Sequence, residues 1–174
     1  MIFIAVSVVA FILLAIIGSI LSANKDKVQI NAFRLQLHLD STSEIISKYQ
    51  PSVKSSELRS NSASLAGIIT NTSGKLTNYL SEKYDYKKNS VDKNLTEEVK
   101  TEQDALDEEL FKAKINGVLD RMYAHKMAYE IMMLKSEESQ LSNSSKDDAL
   151  KEILSESYDS LENLYNRFND FSEG

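Results

Sequence analysis

Met1 to Ala23 contains no charged residue and consists mostly of Ile, Val, Leu, Phe and Ala. At 1.5 Å per residue, a helix of that length covers roughly 30–35 Å, enough to cross the hydrocarbon core of a bilayer. A run with no polar face suits a water-exposed helix badly, so residues 1–24 are expected to be a transmembrane anchor. A secretory signal peptide would want a basic n-region and small residues before the cut; Leu21 fills the place two before Ala23. The remaining residues, 25–174, make one ordinary domain.

That domain reads as all-α. One proline and five glycines in 174 residues leave few of the breakers that punctuate β-rich folds. Apolar residues recur at three- and four-residue steps along five segments, at about 25–50, 53–84, 95–116, 118–141 and 146–172. The first carries Leu35, Leu39, Thr42, Ile46 and Tyr49 on one face, with Ile30, Phe33 and Leu37 on an adjoining one, and Pro51 stops it. Ser52 or Ser55 can cap the second helix, and Asn116-Gly117 ends the third. The last shows the cleanest stripe, from Leu150 through Leu154, Leu161 and Leu164 to Phe168. No single helix can bury its stripe alone. An antiparallel helix bundle behind a membrane anchor is the expected architecture.

The charge balance narrows the partners. Beyond residue 27, acidic residues outnumber basic ones by 25 to 18, so the body would repel nucleic-acid phosphate. With no cysteine, thiolate metal sites and thiol nucleophiles are excluded. The only histidines are His38 and His125, and Leu35 and Met122 stand three residues before them. The Glu-x-x-His pairs of a di-iron bundle are therefore missing, and both rings are expected at the surface or its boundary. No Gly-x-Ser-x-Gly elbow or phosphate-cradling loop occurs. Acidic runs such as Asp107-Glu108-Glu109 and Glu137-Glu138 read as solvated helix faces. Among Met122, Met127, Met132 and Met133, core filling is the expected role, with Met132 or Met133 outside the packed face. No cofactor is expected.

The segment from Leu110 to Phe171 resembles the C-terminal half of a bacterial family of secreted or membrane-anchored ferritin-like helical proteins. That family is known as a domain of unknown function and was formerly labelled a predicted outer-membrane protein. The residues that carry the resemblance are Gly117, Leu119, Asp120, Arg121, Tyr123 and Met127, then Asp148-Ala149-Leu150-Lys151, Leu161 and Leu164. Family members carry an acidic–His pair in the helix after the tyrosine; Tyr129-Glu130 stands there instead. The resemblance implies a ferritin-like four-helix bundle in the cell envelope, its body on the extracytoplasmic side. Lys25, Lys27 and Arg34 after the anchor argue the other way by the positive-inside rule.

A non-enzymatic scaffold or interaction role is the expectation. The alternatives are a pilin-like filament subunit, although Ala5 stands where pilins carry glutamate, and a ferritin-like metal binder without the usual ligands. If the second helix returns towards the bilayer, the loop that follows lies beside it. Lys83, Tyr84, Tyr86, Lys87, Lys88 and Lys93 are then candidates for contact with anionic headgroups.

Overall fold

The computed structural model describes residues 27–87 and 91–171. The anchor expected at 1–24 lies outside them, and among the described residues no helix is long and apolar enough to cross a membrane. All the regular structure described is helical. Helix α1 occupies 27–49 and passes through a 3-10 turn, Gln50–Ser52, with Pro51 at its start. Four more follow: α2 (Ser56–Tyr84), α3 (Lys93–Ile115), α4 (Leu119–Ser144) and α5 (Asp148–Asn169).

Each start has a local cause. Ser55, rather than Ser52, caps α2 by accepting from the Leu58 N–H. Asp92 caps α3 two residues earlier than the periodicity indicates, and Asp147 caps α5; each carboxylate accepts from two amides of its first turn. Before α4 the chain turns at Gly117, whose φ of 71° lies in the left-handed region that L side chains resist. With no side-chain cap on α4, the Asp120 carboxylate instead accepts from Lys54 and Ser55 N–H at 2.9 and 2.7 Å, pinning the turn between α1 and α2.

Pair contacts define the bundle. Phe33 on α1 packs on Tyr84 and Tyr86 at the far end of α2, so these helices are antiparallel. Lys75–Glu156 and Lys83–Asp147 set α2 against α5. Glu138–Ser157 and Tyr123–Phe168 set α5 against α4, and Arg34–Glu137 with His38–Glu130 set α4 against α1. These four antiparallel contacts close a ring of α1, α2, α5 and α4. Helix α3 runs outside it, parallel to α1, and carries the chain from the end of α2 to the start of α4.

Helix α1 is the most enclosed element. Leu35, Gln36, Leu37, His38 and Leu39 are all buried, and five consecutive residues sweep more than a full turn. Both of its apolar faces are used: Phe33 packs on the end of α2, and Tyr49 reaches Asp107 of α3, while Ile30 near its start is exposed. The side chains of Leu35, Leu58, Leu65, Leu76, Tyr123, Met127, Leu134, Leu150 and Leu161 are fully shielded and form one continuous core. Met132 is exposed and Met127 fully buried, as the methionine pattern predicts.

Candidate functional site

The polar centre of the molecule lies where α1 faces α4. Arg34 and His38 stand one turn apart on α1, and Glu130 and Glu137 two turns apart on α4, so both pairs project from one side of their helix. The His38 Nδ1 lies 3.0 Å from Glu137 Oε2, and Nε2 lies 2.9 Å from Glu130 Oε2. The Arg34 guanidinium donates to Glu137 at 3.1 Å, and its two terminal nitrogens donate to Glu98 and Glu102 of α3 at 2.7 and 2.9 Å. A single arginine thus ties three helices.

His38 is a correction to the expectation of a surface or boundary ring: it is buried, 8% exposed. Burial alone would drive its proton off. The carboxylates of Glu130 and Glu137 outweigh that effect and push its pKa up to about 9. Carboxylates facing both ring nitrogens hold the imidazolium form, with each N–H donating. So held, the ring offers no lone pair to a metal or a substrate proton near neutral pH. Among the described residues no group of His, Asp and Glu is arranged to hold a metal ion. His125 is exposed, as expected.

Beside this cluster a cleft of about 240 Å³ opens between α1, α3 and α4. His38, Thr42, Glu102, Lys126, Tyr129 and Glu130 contribute to its walls. Thr42 is 1% exposed, and its hydroxyl has no hydrogen-bond partner among the described residues. Lys126 pairs with Glu109 across the opening.

Glu137-Glu138 is the second correction. Neither residue belongs to a solvated face: Glu137 serves Arg34 and His38, and Glu138 is 1% exposed between α4 and α5. The Ser157 hydroxyl donates to Glu138 Oε1 at 2.5 Å, while Oε2 has no partner among the described residues. Burial pushes this carboxyl up to about 7. Asp107 is engaged as well, accepting from Lys48 and from the Tyr49 hydroxyl.

Of the residues expected to touch lipid, the described ones lie at the end of the bundle where α1 begins, but they are not equivalent. Tyr86 is corrected: it is 8% exposed, with its ring 5.0 Å from that of Phe33. Tyr84 packs edge-on against Phe33 and Tyr79. Lys83 is bound to Asp147 at 2.9 Å, which the α4–α5 turn brings in from a distance in sequence. Lys87 reaches Asp85 at 3.3 Å, and Lys93 is exposed at the start of α3. Lys88 lies outside the described residues.

The sequence signal for the buried cluster is legible afterwards: Arg34-x-x-x-His38 inside an apolar helix, and carboxylates seven apart on a second one. Neither motif declares its partner. Comparisons with protein families, curated proteins and solved structures return no match to the chain.

Proposed function

We propose that this chain is a membrane-tethered helical bundle of the cell envelope that acts by binding, as a scaffold or interaction module, rather than by catalysis. The observation that carries this reading is the uncharged apolar run Met1 to Ala23, separated in the sequence by only Asn24, Lys25 and Asp26 from α1, the most enclosed helix of the bundle. A pull on the tether would act on the core rather than on a peripheral element. The binding reading is supported by the state of the polar centre. Its histidine and arginine are saturated by carboxylates and supply no activated base or nucleophile.

A ferritin-like topology is supported by two antiparallel pairs, α1–α2 and α4–α5, joined by one long crossover in which α3 runs. The extracytoplasmic side is preferred on the resemblance noted above. Contact with anionic headgroups would rest on Lys88 and Lys93, since Lys83 is engaged by Asp147 and Lys87 by Asp85.

Fractionation of cells making the full chain tests the tether: it should stay with membranes through an alkaline carbonate wash, and recovery in the aqueous fraction would overturn it. The chain has no cysteine, so Ser160→Cys, at an exposed position on α5, supplies a single topological reporter. An impermeant maleimide should label it in intact cells; labelling only after lysis would place the body in the cytoplasm.

A further inference from the structure

We propose that α3 is a releasable strap, occupying in cis a groove of α1 and α4 that accepts an acidic amphipathic helix. The binding reading above is presupposed here; the membrane tether is not. Only Val99, Leu110 and Ala113 of the 23 residues in α3 are buried, whereas α4 buries nine of 26 and α5 six of 22. Phe111 and Ile115 face outward, 53% and 68% exposed, so the large apolar side chains of α3 do not all serve its docking.

Charge makes up the difference. Helix α3 carries seven carboxylates against four lysines, and four of those carboxylates meet cations of the groove. Glu98 and Glu102 take Arg34, Asp107 takes Lys48, and Glu109 takes Lys126. Gln103 adds a hydrogen bond to Glu44 at 2.9 Å. The joint beneath is imperfectly filled, leaving the 240 Å³ cleft and the unpartnered Thr42 hydroxyl. The ring of α1, α2, α5 and α4 closes without α3, whose departure withdraws Val99 and Leu110 from the edge of the core and the Asp107 acceptors from the Tyr49 hydroxyl. What it uncovers is Arg34, Lys48 and Lys126, the cations that Glu98, Glu102, Asp107 and Glu109 now pair, beside Ile45 and Met133 and complementary to the helix that left. A partner helix with carboxylates at matching spacing would compete for those cations.

Held this way, α3 is the element most sensitive to salt, because screening shortens from about 10 Å at 0.1 M to about 3 Å at 1 M. Hydrogen exchange of the full-length chain in detergent micelles tests this, at about 0.05 M and about 0.5 M salt. The α3 amides should exchange about ten-fold faster at the higher salt, while those of α4 and α5 change less than about two-fold. Acceleration shared by all helices, or none in α3, overturns the strap.

The second arm uses the full chain carrying Glu98→Gln, Glu102→Gln, Asp107→Asn and Glu109→Gln, with a fluorescent peptide of wild-type sequence 93–115 as probe. The peptide should bind this loosened chain at least about ten-fold more tightly than the wild type, and adding Lys48→Gln and Lys126→Gln should abolish the gain. Equal binding to both chains, or none to the loosened one, overturns the groove. Membrane retention is scored on the same protein, so failure of the groove and failure of the tether are separable.

Discussion

At the scale of single residues, two buried ionisable groups set the pH dependence, and both act in the same direction. Glu138 has a folded-state pKa of about 7, above the 4.5 of an exposed glutamate, so the native state binds its proton more tightly than the unfolded chain does. Its contribution is most favourable below about pH 4.5 and declines as pH rises through about 7. Glu138→Gln keeps the acceptor for Ser157 and removes the charge. It should stabilise the chain by about 2 kcal/mol at pH 8 and have little effect at pH 4.5, read by urea unfolding. His38, raised to about 9, contributes stability that is complete below about pH 6.5 and lost as pH rises through about 9. His38→Gln should remove that alkaline limb and cost about 3 kcal/mol at pH 6, because Glu130 and Glu137 lose their shared cation. An unfolding series from pH 5 to 10 on the variant and the wild type checks both signs.

At the scale of elements, helix boundaries follow capping chemistry more closely than hydrophobic period. Asp92 starts α3 ahead of its first buried residue, Val99, and Gly117 permits the turn before α4. A Cβ at Gly117 would touch nothing within 4 Å, so Gly117→Ala isolates the backbone term. It should cost about 1 kcal/mol by thermal unfolding without changing helix content. The elements also differ in how they are held. Leu35→Ala on the enclosed α1 should cost about 3 kcal/mol and lower the protection of all five helices together. Val99→Ala on α3 should cost about 1 kcal/mol and loosen α3 first. Exchange rates resolved by helix distinguish these two outcomes.

At the scale of the whole molecule, four helices form a closed antiparallel ring, a fifth lies along one seam, and the chain enters through the best-buried helix. The end that receives the N-terminal segment gathers Lys83, Lys87 and Lys93, but also Asp85, Asp92 and Asp147. Its surface is therefore mixed in sign rather than basic, which makes any attraction to anionic lipid a local effect of a few lysines. The tether reading predicts that replacing Leu13 and Leu14 by Lys, within the apolar run, moves the full chain from the membrane to the aqueous fraction in a sedimentation assay.

Helical period, the scarcity of breakers and the uncharged leading run are local properties, and they were enough to indicate five helices, an all-α body and much of the core, Leu35, Leu39, Leu154 and Leu161 among it. Whether a polar residue on such a helix meets water or a partner is not local. His38 looks like a boundary residue until α4 lays Glu130 and Glu137 on either side of its ring, and Glu138 looks solvated until α5 covers it with Ser157. Tyr86 looks exposed until Phe33 arrives from more than fifty residues away. Each of these was decided by which helices became neighbours, because the cost of burying a charge depends on the groups that the fold brings to it.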